Sequence, residues 1–181
     1  NDIAGYWCAW PEGRGAPEEA NISCTRARLN EVQLHPSTES ADRFIEIHMP
    51  AGGSLSGLAL ALVDANGVVV DNLGTTPGKR SPIGGYSIIE TGANGELPAM
   101  EDGAIQLRRV GTLADTFGFG TLNAETDSTY GSPMFETAAA AASDGAAWGR
   151  FPDGFDTDDN SADWDHVDDT PGLANQLYTG P

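Results

Sequence analysis

Basic residues are scarce in this chain. There is one lysine, Lys79, and the 9 basic residues in total face 27 acidic ones, for a net charge of −18. That imbalance repels phosphate backbones and anionic headgroups, so direct nucleic-acid binding is disfavoured. Long apolar runs are missing as well. The longest, LSGLALALVD, is of strand length and is broken by Gly57, far short of the roughly 20 residues a membrane helix needs, so no membrane insertion is expected. Histidine is limited to His35, His48 and His166. None lies in a His-x-x-x-His pair, and the chain has no Gly-x-Ser-x-Gly elbow. Cysteine is limited to Cys8 and Cys24, too few soft ligands for a zinc site. An even pair closing the Gly- and Pro-rich segment CAWPEGRGAPEEANISC reads instead as a disulfide in an oxidising compartment, contributing about 3 kcal/mol by loop entropy.

What is present bounds the architecture. A chain of 181 residues with 39% apolar content suits one β domain with a substantial core. It begins at Asn1 without a methionine, which suggests a removed signal peptide or a trimmed chain. Abundant aspartate with almost no lysine suits a salty extracellular milieu, although a generic acidic secreted protein reads the same way. The organisation is β throughout. ARLNEVQLH alternates with one shift of phase, RFIEIHM alternates strictly, and GLALALVDANGVVVDNL holds two apolar runs around Asn66-Gly67, where both turn residues tolerate positive φ. GGYSIIE, GAIQLRRV and LADTFGFG supply three further strands, and the spacing of the turns predicts an antiparallel sandwich or barrel. The alanine run Ala138 to Ala142 is too short for a stable helix and reads as a loop or a single turn.

The ordered stretches LNEVQLHP, RFIEIHMPAGGSLSGLALAL, GGYSIIE, EDGAIQLRRVGTLADTFGFG, GRFPDGFDTDDNSADW and TPGLAN resemble the lamin-tail domain, in the version found in secreted bacterial proteins. The resemblance runs from about Arg28 to Asn175. Where the family commonly has an aromatic residue after Leu-Ser-Gly, this chain has Leu58. The resemblance implies an all-β, immunoglobulin-like antiparallel β-sandwich over 28–175, used as an accessory, adhesive or structural module and not as a catalytic fold. Residues 1–27 then form an added arm or strand, and 176–181 a tail.

The candidate sites follow from these segments. In FDTDDNSADW, Asp156, Asp158 and Asn160 alternate like the first ligands of a calcium loop, with Asp163 and Asp165 as further oxygen donors. The loop's later positions hold Ser161 and Val167 in place of glycine and glutamate, so turn capping is the leading reading and calcium the one metal worth naming. No cofactor is required. Glu31 and Glu46 fall on adjacent strands and are expected to pair with Arg28 or Arg43 at a sheet surface rather than act as acid and base. Tyr6, Trp7, Trp10 and Trp148 are either core residues or a stacking platform; the stretch GYWCAW, outside the shared domain, is the candidate interface. Three functions compete on these grounds. They are an extracellular or cell-surface structural protein that associates with copies of itself or with other surface proteins, an accessory module of a larger secreted enzyme such as a nuclease, and a hydrolase with an unrecognised site.

Overall fold

The structure is a computed structural model that describes residues 27–35, 39–49, 55–74, 85–136, 140 and 146–178. The chain forms β1 (Arg28–Gln33), β2 (Phe44–His48), β3 (Leu58–Asp64), β4 (Val69–Gly74), β5 (Tyr86–Ile89), β6 (Gly103–Arg109), β7 (Thr112–Phe119), β8 (Ala147–Arg150), a one-turn helix α1 (Asn160–Asp163) and β9 (Trp164–Val167). Two sheets result, ordered β5-β2-β1-β8-β9 and β4-β3-β6-β7, and every strand pairing within them is antiparallel. This is the all-β antiparallel sandwich read from the sequence.

Alternation places the core between the sheets. Leu29, Val32, Ile45 and Ile47 of the first sheet meet Leu60, Leu62, Ile105, Leu107 and Phe117 of the second, and Leu58 is buried in the same cluster. Trp148 and Trp164 join it. Trp164 stacks on Phe117 at 3.8 Å between centroids, and Trp148 tilts against Phe119 at 4.7 Å, so Trp148 is a core residue. The phase shift read in ARLNEVQLH is a β-bulge. Leu29 pairs with Ile47 and Glu31 with Glu46, which leaves Asn30 as the extra residue.

The Asn66-Gly67 hairpin forms, but not as the two-residue turn in which both residues have positive φ. Asp64 N–H bonds Val68 O at 2.9 Å and Gly67 N–H bonds Asp64 O at 3.0 Å, so three residues make the loop. Only Gly67 takes positive φ, +80°. Asp64 selects this form, because its Oδ1 accepts from both Asn66 N and Val68 N at 2.9 Å. Of the alanine run, Ala140 is described, and it pairs in parallel with Phe119 on the edge of β7.

Each sheet carries a further layer on its outer face. Over the second sheet lies the irregular stretch 121–136, whose Met134, Phe135, Leu122 and Ala124 pack on Val63 and Ala104. Gln106 anchors it through Nε2 to Asp127 Oδ2 at 3.1 Å and Pro133 O at 3.0 Å. Over the first sheet lies the closing segment 168–175. It approaches so near that a Cβ on Gly149 would sit 2.7 Å from Asn175 Nδ2, which is why β8 has glycine there. Residues 176–178, set apart as a tail on sequence grounds, lie along β9: Asp168 N–H bonds Gln176 O at 2.9 Å and Tyr178 N–H bonds His166 O at 3.0 Å. No helix among the described residues is long and apolar enough to cross a membrane.

Candidate functional site

Two clusters of buried ionisable side chains result from this layering. The first centres on Arg150, the last residue of β8, whose side chain has no exposed surface. Its Nε donates to Leu29 O at 2.9 Å. Nη1 reaches Phe155 O at 2.7 Å, Asp156 Oδ1 at 3.1 Å and Asp163 Oδ2 at 3.2 Å, while Nη2 reaches Asp115 Oδ1 at 3.0 Å. Glu136 Oε2 stands 3.8 Å from the same Nη2, and the Trp164 ring lies 5.1 Å below the guanidinium. One planar fork therefore ties β1 and β8 of the first sheet to β7 of the second and to the loop before α1.

The carboxylates around Arg150 are held from behind. Asp115 Oδ2 accepts Leu29 N–H at 2.7 Å, and Asp156 Oδ2 pairs with Arg28, which also bonds Ala114 O at 3.1 Å. Asp163 accepts Thr157 N–H at 2.7 Å and its hydroxyl at 2.6 Å. Asn160 satisfies four groups, accepting from Gly118 N and Glu136 N and donating to Thr116 O and Glu136 Oε2. Charge is unbalanced: among the described residues, Asp115, Asp156, Asp163 and Glu136 face two basic groups, Arg150 and Arg28. Burial, with Asp115 and Asp156 adding to it, pushes Glu136 up to about 8, so the carboxyl furthest from the guanidinium keeps its proton at neutral pH. Burial works against the charged Arg150, but Asp115, Asp156, Glu136 and Asp163 outweigh it and hold the guanidinium above its ordinary value.

The second cluster lies on the outer face of the first sheet. Glu31 and Glu46, directly opposite across β1 and β2, are fully buried. They do not form surface ion pairs with Arg28 or Arg43 as the sequence suggested. Arg28 is taken by Asp156, Arg43 donates to Leu97 O at 3.2 Å, and the closing segment covers both glutamates. Glu31 accepts Thr170 N–H at 2.8 Å and the Thr170 hydroxyl at 3.2 Å. Glu46 accepts Gly172 N–H at 2.6 Å and Asn30 Nδ2 at 2.8 Å. Asp153, in the turn after β8, accepts Asn175 N–H at 2.9 Å and the Tyr86 hydroxyl at 2.5 Å. Burial pushes Glu31 to about 8 and Glu46 to about 7, against the hydrogen bonds that favour their charged forms. Burial also raises Tyr86, helped by Asp153, and lowers His48, which lies against Tyr86 with ring centroids 5.3 Å apart.

No family model, no curated protein and no solved structure matches this chain. Local geometry therefore carries the assignment of roles.

The acidic stretch Phe155–Trp164 folds as a turn-and-cap unit. Asp159 caps α1 by accepting Ser161 N–H at 3.1 Å, and Asp158 takes a left-handed backbone at φ 59°. Asp156, Asp163 and Asn160 point into the Arg150 cluster. Among the described residues, the carboxyl oxygens that converge closely enough for a metal are those of Asp115, Glu136 and Asp156, which share Asp156 with the sequence-derived set. Asp165 is exposed on β9. Cys8, Cys24, Tyr6, Trp7 and Trp10 lie outside the described residues. Arg150, Asp115 and Glu136 were not singled out by sequence. The available signal was a lone arginine between apolar neighbours, AWGRF, in a chain poor in cations.

Proposed function

We propose that this chain is a non-enzymatic structural or interaction protein of the extracellular space or cell surface, a lamin-tail-like sandwich that associates with copies of itself. The observation that carries this reading is that both outer sheet faces are covered by the chain's own segments, 121–136 and 168–175. Glu31 and Glu46, whose raised values would suit acid–base work, accept backbone amides from that covering, so a substrate would have to displace it. Partners can then meet the sheet edges, the outer surfaces of the covering segments, or the chain outside the described residues. On the β4 edge, Val68 and Val70 are 49% and 50% exposed, and an edge strand offers main-chain groups to a neighbouring chain. The net charge of −18 opposes such contact at low salt and is screened over about a nanometre at 0.1 M.

Light scattering and electron microscopy across ionic strength test this reading. Assembly is expected in screened solution, weakened by Val70→Lys and by removal of residues 1–23, which carry Trp7 and Trp10. A monomer under every condition, or assembly indifferent to both changes, overturns it. Calcium is not required in this reading, because Arg150 and Arg28 already serve as counter-ions to Asp115, Asp156 and Asp163. The melting temperature is expected to move by less than about 2 °C between millimolar Ca²⁺ and chelator. Since a ligand bound only to the folded state at about 100 times its Kd contributes about 2.7 kcal/mol, a rise of several degrees would assign the acidic cluster to calcium.

A further inference from the structure

The closing segment is attached in an unusual way. Three carboxylates from three different places, Glu31 on β1, Glu46 on β2 and Asp153 after β8, each accept one of its backbone amides, at Thr170, Gly172 and Asn175. Further ties include the Thr170 hydroxyl to Glu31 Oε2 at 3.2 Å, Gln33 Nε2 to Asp169 Oδ1 at 3.3 Å, and Asn175 Nδ2 to Asn30 O and Arg150 O at 3.1 and 2.9 Å. Acidic groups also come from the segment itself, as Asp168 and Asp169, with Asp42 acting on Asp169 from the turn before β2. Asp165 on β9 lies opposite Gly149. His48 and Tyr86 are the other titratable groups facing the cluster, and both are held toward their neutral forms. Among the described residues, neither glutamate has an ion pair with a basic side chain. The contrast with the Arg150 cluster is direct: there two guanidinium groups compensate the carboxylates, and here none does.

We propose that the segment Asp168–Asn175 is a releasable strap, held on the outer face of the first sheet at mildly acidic pH and freed at mildly alkaline pH through Glu31 and Glu46. With a proton on each, the facing glutamates stay buried without mutual repulsion. Once both are charged, two anions lie opposite each other under a layer that excludes water. Lifting the strap hydrates them and relieves the repulsion, at the loss of the three amide hydrogen bonds and of the side-chain bonds made by Thr170, Asp169 and Asn175. Burial raises both groups above their ordinary 4.5, Glu46 acts on Glu31, and Asp153 acts on Glu46, all in the direction that makes opening release protons. Opening releases one proton per glutamate between pH 4.5 and the folded values of about 7 and 8, so its equilibrium constant rises with pH over that interval.

Amide hydrogen exchange on the full chain tests the strap. After correction for the intrinsic pH dependence of exchange, protection at Thr170, Gly172 and Asn175 is expected to fall at least about tenfold between pH 5.5 and 8.5, by the linkage above. Ala61 and Gln106, in the other sheet, exchange through global unfolding and should stay far better protected than the strap at both pH values. Glu31→Gln and Glu46→Gln, made singly, should each reduce the slope. Equal protection at both pH values in the native chain overturns the proposal, and so does strap protection equal to that of Ala61 and Gln106, which would mark global unfolding. The native-chain measurement decides even if a variant fails to fold.

Discussion

Arg150→Met lowers the melting temperature at pH 7 by about 10 °C or more, or leaves no folded protein at all. Removing one partner of a buried ion pair costs about 3–5 kcal/mol, and a domain of this size loses about 2–4 °C per kcal/mol. The loss should fall at the upper end of that range, because Asp115, Asp156 and Asp163 all lose their shared counter-ion, leaving Arg28 on Asp156. Arg150→Lys restores little. An ammonium cannot reach Leu29 O, Phe155 O and Asp115 Oδ1 at once, as the planar fork does. Partial recovery at acidic pH would follow from protonating Asp115, whose burial raises it. Thermal unfolding followed by circular dichroism is the measurement, and a methionine variant melting within about 2 °C of the parent would remove Arg150 from its central place.

Stability of the native chain falls as pH rises from about 5 to 8.5, the reverse of ordinary acid denaturation. Glu31 and Glu136 stand at about 8 and Glu46 at about 7 in the folded state, against an ordinary value of 4.5. Raised values mean that the folded state holds protons the unfolded state has lost. The stabilisation is therefore complete below pH 4.5 and disappears as pH passes through 7 and 8. Each tenfold gain in proton affinity on folding is worth about 1.4 kcal/mol, so even a fraction of the full effect amounts to a drop of roughly 5–10 °C between pH 5.5 and 8.5. Asp127, lowered by its hydrogen bonds to Tyr130, Gln106, Ser132 and Thr129 against its burial, loses stability only at pH below 4, while His48, lowered by burial, opposes the trend below its ordinary 6.5, one group against three. Differential scanning calorimetry across pH, with Glu31→Gln and Glu46→Gln combined to flatten the profile, decides the matter. A melting temperature that stays level or climbs toward pH 8.5 would contradict these assignments.

Strand periodicity made most of the sandwich legible from sequence. RFIEIHM and GAIQLRRV alternate because one side of each strand faces the other sheet, and the phase slip in ARLNEVQLH marked the bulge at Asn30. The strand Ala147–Arg150 was not legible. Four residues with a glycine carry no periodic signal, and their extended form comes from pairing with β1 on one side and β9 on the other. Local chemistry was readable where partners are close in sequence, as with Asp159 capping Ser161 and Asp163 holding Thr157. It failed where they are distant. Glu31 and Glu46 looked like exposed sheet residues because the segment that buries them lies 139 and 126 positions further on. Arg150 was missed for the same reason, since its acceptors come from β1, β7 and the loop before α1.

The bulged strand β1 has a consequence for biosynthesis. It is an early strand of the sandwich, yet its neighbours in the sheet are β2 and β8, and Leu29 O waits for an arginine 121 residues later. While the ribosome is still making the middle of the chain, one side of β1 has no strand to pair with and Glu31 has no amide to accept. The second sheet, whose four strands lie between Leu58 and Phe119 with β5 of the first sheet among them, can close before β8 is made. Synthesis at about 5–20 residues per second then leaves a nascent chain with one finished sheet and one incomplete edge for several seconds, a window in which a chaperone, or a second nascent copy, meets β1 before β8 does.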